Sequence, residues 1–155
     1  MRLWKICRAP YAKAALSGDG GLRVSGRWHH KGHRVTYCAE HASLAALEML
    51  VHFDASLAPS DLVLVQIDVP ARIKIESLDE KALPRNWRRT PAPRKLQELG
   101  TTWLTAKATA VLSVPSALMP SELNFLLNPE HPDATRISVV SMRRFSFDQR
   151  LVAKR

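Results

Sequence analysis

The sequence is poor in cysteine: Cys7 and Cys38 stand alone, with no CxxC or zinc-like spacing, and such thiols are at home in a reducing cytoplasm. No apolar run approaches the roughly 20 residues needed to cross a bilayer. The opening MRLWKICRAPYAK is basic but has no continuous apolar stretch and no small-residue cleavage site, so no secretory signal is expected. GxSxG, Walker-type and GxGxxG motifs are missing, as are internal repeats, low-complexity tracts and a dividing linker. What remains is a chain of 155 residues, 46% hydrophobic and 24% charged, close enough to the globular average to argue against a disordered, collagen-like or repeat protein. As one domain, such a chain buries roughly two-thirds of its unfolded surface. The expectation is a single soluble cytoplasmic domain spanning residues 1–155, with no membrane association.

Acidic residues are the other scarcity, 14 Asp and Glu against 23 Lys and Arg, a formal charge of +9. The excess is uneven. Residues 1–40 hold eight basic side chains against Asp19 and Glu40; KALPRNWRRTPAPRK (81–95) holds six and no acid; residues 143–155 hold five against Asp148. Such patches suit phosphate-bearing ligands, nucleic acid or an acidic protein partner, and equally a surface that keeps the protein soluble.

Pattern and turn chemistry predict short strands interspersed with two or three helices, an α+β domain whose strand order stays open. Strands are expected at LWKIC (3–7), RVTYC (34–38), LVLVQIDV (62–69), RIKIE (72–76), AVLSV (110–114), RISVVS (136–141) and FSF (145–147). GDGG (18–21) reads as a flexible turn and 84–93 as a proline-bounded basic loop. AEHASLAALEMLVHF (39–53) lacks Gly and Pro and reads as a helix; RKLQELG (94–100) reads as a short helix stopped by Gly100; PSELNFLLNP (120–129) reads as a helical turn between prolines.

The 39–53 helix is the most informative segment. With Leu44 at 0°, apolar residues cover most of the circumference, which predicts a largely buried helix. The polar exceptions His41, Glu48 and His52 fall at about 60°, 40° and 80°, one narrow stripe. That stripe is either the solvent-facing edge or a carboxylate raised into a cleft from a rigid element; a metal site is disfavoured, because its three members spread over three turns. Arg27 follows Gly26 in a turn-rich stretch and suits a fork onto phosphate or carboxylate, or an exposed side chain stacked on Trp28. HHKGH (29–33) reads as a solvated loop, with no acid or cysteine beside it to complete a metal site. Tyr37 is either an ordinary strand residue or a stacking platform, and Ser116, after Pro115, binds a ligand or caps a turn.

Taken in order, GDGGLRVSGRWHHKGHRVTYCAEHASLAALEMLVH, LPRNWRRTPAP and LSVPSALMPSELNFLLNPEHP resemble the RES-domain toxins of bacterial toxin–antitoxin pairs, over residues 3–151. The Arg, Glu and Ser for which the family is named correspond to Arg27, Glu48 and Ser116, and Tyr37 falls where the family carries its active-site tyrosine. Two positions depart from the pattern. His29 stands where Asn commonly follows the Arg-Trp pair, and Lys5 stands where an arginine is common after the early Trp.

The resemblance implies a fold like that of the ADP-ribosyltransferase toxins and an activity that consumes NAD+ as substrate, by cleaving the nicotinamide–ribose bond, with no cofactor and no metal. It implies catalytic roles for Arg27, Tyr37 and Glu48, and substrate contacts for Arg27, Tyr37 and Ser116. It also implies a cognate antitoxin with a helix-turn-helix (Xre-type) domain, through which any DNA contact is made. Two alternatives stay open. One is an ADP-ribosyltransferase that modifies a host protein with the same four residues. The other, of a different class, is a basic nucleic-acid-binding module with Trp87 and Trp103 available for stacking.

Overall fold

The computed structural model describes residues 1–52 and 59–152, and within them the β-branched and apolar runs form a seven-stranded mixed sheet. In chain order the elements are β1 (Arg2–Arg8), α1 (Ala9–Ala12), α2 (Gly20–Arg23), β2 (Thr36–Ala39), α3 (Ala42–Leu50), β3 (Leu62–Asp68), β4 (Ile75–Ser77), α4 (Arg94–Ala106), β5 (Val111–Pro115), β6 (Leu123–Leu127), β7 (Ser138–Phe145) and α5 (Gln149–Val152). The strands lie in the order β4-β5-β6-β2-β1-β3-β7, parallel only between β4 and β5. This is the α+β architecture that the pattern predicts. Among the described residues no helix is long and apolar enough to cross a membrane.

The alternation of strand side chains divides the core. Cys38 joins Leu3, Val65, Ile67 and Phe125 on one face. Its neighbours Tyr37 and Ala39 point the other way, into two separate clusters. Tyr37 borders the first, where Trp28, Trp87, Leu96, Trp103 and Leu126 pack beneath α4. Ala39 belongs to the second, with Ile6, Leu44, Ala45 and Leu64 beneath α3. Leu44 alone, almost fully enclosed, contributes roughly 1.5–3 kcal/mol of burial. The two clusters meet at a weak seam. β1 and β3 share seven residue pairs and β2 and β6 share four, whereas β1 and β2 share a single ladder pair, Trp4 with Ala39.

Several local expectations give way to tertiary context. α4 does not stop at Gly100 but runs through it to Ala106 and ends at Lys107, whose φ of 49° is left-handed. Its buried residues Leu96, Gly100, Trp103 and Leu104 follow helical spacing, and Gly100 is there for a close contact, not a stop. Residues 120–129 are not helical; LNFLL is β6, paired on both sides by β2 and β5, the prolines merely bounding it. The two closing strands are one, β7, preceded by a 3₁₀ turn at Pro132–Arg136. GDGG enters the one-turn helix α2, and the 72–76 strand is displaced to the exposed edge strand β4. α3 is shorter than predicted, because β2 runs to Ala39 and His41 is still extended; Phe53 lies outside the described residues. Nor is α3 largely buried: it lies on the sheet by one face, leaving Leu47 39% and Val51 59% exposed.

Candidate active site

The polar stripe on α3 divides. His41, at the helix N-cap, is exposed and reaches Glu122 at 3.3 Å; His52, also exposed, follows the helix. Glu48 is turned inward and half-buried. Its Oε1 accepts the Ser116 hydroxyl at 2.9 Å and the Asn124 amide at 2.5 Å. No hydrogen bond from a described residue falls on its other oxygen. Ser116, fully enclosed at the end of β5, donates its one proton to Glu48 while its oxygen accepts the Leu118 and Met119 backbone N–H groups. The hydroxyl thus both caps the turn and holds the carboxylate. Asn124 reaches Glu48 from β6, the strand misread as a helical turn. Sequence reasoning missed it, although an Asn among the apolar residues of LNFLL was the available signal.

Arg27 is carried by a turn braced from α4. Gln97 donates to the Gly26 carbonyl at 3.0 Å, and the Thr101 hydroxyl accepts the His30 N–H at 2.9 Å. Between them Gly100 admits the Trp28 backbone; a Cβ there would lie 1.8 Å from the Trp28 oxygen. Arg27 does not sit exposed on Trp28, which is buried. Its Nη1 donates to the carbonyls of Trp87 and Arg89 at 2.8 and 3.1 Å, tying it to the basic loop. Burial lowers the Arg27 pKa, opposed by the charge of Glu48.

Tyr37 stands beside this turn. Its hydroxyl accepts the Trp28 N–H at 3.1 Å and lies 2.8 Å from Nδ1 of His29. Burial pushes the phenol well above its ordinary value, opposed by the Trp28 N–H and by Arg27, so it is a neutral phenol at physiological pH. His29, read from sequence as part of a solvated loop, is 3% exposed. Burial lowers its pKa, opposed by the Val24 carbonyl. Among the described residues no group of three or more His, Cys, Asp or Glu side chains is arranged to hold a metal ion.

A cleft of about 190 Å³ opens where β1 and β2 part. Trp4, Lys5 and Ile6 form one wall, Tyr37, Ala39 and Asn124 the other, and α3 closes it with Ala45, Glu48 and Met49. Lys5 reaches across the seam to the Tyr37 carbonyl at 3.4 Å. A larger groove, about 530 Å³ beside α4 and β4, is lined by none of the four residues singled out above and lies apart from their chemistry. Of those four, the structure brings Glu48 and Ser116 into direct contact, sets Tyr37 on the cleft wall, and ties Arg27 to the Tyr37 side through the Trp28 turn.

These features define a class: a single α+β domain whose sheet parts at one seam to present a tethered carboxylate and a tyrosine, with an arginine held on the tyrosine's side by the Trp28 turn. The chain matches the RES domain over residues 2–148, and it belongs to the RES-domain family. It is 41% identical over 152 residues to Toxin Res of Yersinia enterocolitica serotype O:8, an alignment that covers 97% of this chain and 99% of that protein. It is 36% identical over 155 residues to Prs ADP-ribosylating toxin of Sphingobium sp. (strain YBL2), covering 97% of this chain and 96% of that one. A chain of the M. tuberculosis MbcT–MbcA toxin–antitoxin complex superposes with a TM-score of 0.77 at 17% identity, over 94% of this chain and 84% of its own length, a likeness of fold.

Proposed function

We propose that this protein is the toxin of a toxin–antitoxin pair and that it consumes NAD+ by breaking the nicotinamide–ribose bond. One observation carries the chemistry: Glu48 is gripped through Oε1 by Ser116 and Asn124 while no hydrogen bond from a described residue falls on its other oxygen, at a cleft walled by Tyr37. When the bond breaks, its electron pair leaves with the nicotinamide nitrogen and the ring becomes neutral, so no acid is required. Positive charge develops on the ribose. A carboxylate already fixed in place stabilises that charge and holds a ribose hydroxyl without reorganising during the reaction. The ribosyl carbon is then taken by water, giving ADP-ribose and a proton, or by phosphate.

The other residues fit the same substrate. Tyr37 offers a flat ring for nicotinamide, and the Arg27 N–H groups not held by the loop suit a pyrophosphate oxygen pair. Ser116 acts through Glu48 in this reading, as a positioning residue. The cleft is smaller than the about 300–1,000 Å³ typical of sites that enclose drug-sized ligands, so the dinucleotide enters by its nicotinamide end. NAD+ is the substrate, and no metal or further cofactor enters the scheme.

A toxin of this kind needs a partner that restrains it, and the toxin–antitoxin complex in which the fold recurs supports one. A helix-turn-helix antitoxin, carrying any DNA contact itself, is the partner that the family resemblance implies. The basic loop suits an acidic surface on it, which predicts association that weakens with salt. The reading puts the activity in the cytoplasm, where NAD+ and DNA are both at hand. A second acceptor, a host protein side chain, is favoured by the relative named an ADP-ribosylating toxin.

The test is free nicotinamide released from NAD+ by the purified chain without any antitoxin, beside Glu48→Ala. Release by the wild type alone supports the proposal, and phosphate dependence and labelled protein then identify the acceptor. No release, with phosphate and cell extract supplied, overturns it.

A further inference from the structure

The hydrogen bonds around His29 determine which of its ring nitrogens carries the proton. Nε2 lies 3.1 Å from the Val24 carbonyl oxygen, which can only accept, so Nε2 holds the hydrogen and donates. Nδ1 is therefore the acceptor. It receives the Gly26 N–H at 3.2 Å and the Tyr37 hydroxyl at 2.8 Å, and the hydroxyl oxygen in turn accepts the Trp28 N–H. The pair is cradled closely: a Cβ on Gly26 would lie 2.7 Å from the Tyr37 oxygen and 2.8 Å from Nδ1, and one on Gly21 would lie 3.0 Å from Nε2.

We infer that His29 is a positioning residue for the cleft: its unprotonated Nδ1 fixes the Tyr37 ring on the wall, and acidification weakens that hold. The inference rests on the proposed function for its effect on turnover, though not for the hydrogen bond itself. Protonation would turn the acceptor into a donor, so the Tyr37 hydroxyl would have to turn its own proton away and accept instead, and Nδ1–H would be set against the Gly26 N–H. The ionisable groups around His29 are Tyr37 from β2 and, in its own loop, His33 and His30, both of which disfavour a further positive charge; none is a carboxylate. Burial holds His29 below the ordinary histidine value of 6.5, so Nδ1 stays an acceptor for Tyr37 at neutral pH and is protonated as the pH falls through that lowered value.

Two variants and one spectrum test this. Asn in place of His29 puts a carbonyl oxygen where Nδ1 stands and does not titrate; Leu removes the acceptor. In nicotinamide release, His29→Asn is expected to keep turnover within a few-fold of wild type and to lose the decline on the acid side, relative to wild type. His29→Leu is expected to lose roughly 10- to 100-fold in kcat/KM, the scale of a reacting group misplaced by about an ångström. In nitrogen-15 NMR of the wild type, His29 should appear as the Nε2–H tautomer, and Tyr37→Phe should shift the Nδ1 resonance. Equal losses in the Asn and Leu variants, an unchanged acid limb in His29→Asn, or a protonated Nδ1 at neutral pH would overturn the inference. If the wild type releases no nicotinamide, the proposed function fails, and the spectrum alone decides the His29–Tyr37 bond.

Discussion

Gly100→Ala sets two rules against each other. In an exposed helix interior the change should stabilise by about 1 kcal/mol, because alanine is the better helix former. Gly100, however, is buried where α4 meets the Arg27–Trp28 turn, and its new methyl would lie 1.8 Å from the Trp28 carbonyl oxygen and 2.8 Å from its carbon. Backbone atoms cannot swing aside as a flexible side chain can, so relief requires moving α4 and the turn apart by more than about 1 Å. Overpacking of that kind costs about 3 kcal/mol, the top of the usual range. After the propensity gain a net loss of about 2 kcal/mol remains. For a chain of this length that lowers Tm by about 4–8 °C, whereas propensity alone would raise it by about 2–4 °C. The sign therefore decides. The same displacement pulls on the bonds from Gln97 to Gly26 and from His30 to Thr101, so nicotinamide release should fall by about 100-fold. An unchanged or raised Tm in a thermal melt would refute the packing argument.

Asn124→Asp places a second carboxylate against Glu48, and two such groups at hydrogen-bond distance cannot both stay ionised. Nicotinamide release should drop by about 100-fold at neutral pH and recover relative to wild type on acidification, as a proton returns to the shared bond; a loss independent of pH would count against the contact. The two thiols should resist modification in the folded state. Burial pushes Cys38 up to about 12 and raises Cys7 as well, so a thiol reagent at pH 8 should label neither quickly until denaturant is added. Rapid native labelling of Cys38 would contradict its burial. His29 should also leave a mark on stability. Its folded-state pKa lies below the unfolded value near 6.5, so the unfolded chain binds the proton more readily. Its contribution is complete above 6.5 and is lost as pH falls towards the folded-state value, and His29→Asn should flatten that part of a pH–Tm curve.

How legible the molecule was depended on where the determining contacts lie. β1, β3 and β5 are long enough in apolar residues to announce themselves, and the family blocks singled out Arg27, Tyr37, Glu48 and Ser116. The errors share one cause, a local signal overruled by a distant partner. Gly100 reads as a stop until Trp28, far back in the chain, is seen against it. LNFLL reads as a turn between prolines until β2 and β5 flank it. Leu47 and Val51 read as core residues, but among the described residues no element packs over the outer face of α3. His29 reads as one of three loop histidines, because nothing in HHKGH says that the first ring folds inward to Val24 and Tyr37 while the backbone of the second is bonded to Thr101.

The site rests on two supports, and their separation shapes what mutations will do. Glu48, Ser116 and Asn124 are joined through α3, β5 and β6, with no contact from α4 among their hydrogen bonds. Arg27 and Trp28 are held by α4 and by the carbonyls of the basic loop. Tyr37 is the link. It packs against the α4 cluster, takes a hydrogen bond from Trp28, and sits in β2 directly before Cys38 and Ala39, whose strand pairs with β6 beside Asn124. A shift of α4 should therefore reach Arg27 and Tyr37, which suit the pyrophosphate and the ring, and leave the Glu48 grip in place. Gly100→Ala should then act more on KM than Asn124→Asp does, with the Asn124 change acting more on kcat. That contrast separates substrate placement from charge stabilisation within one small cleft.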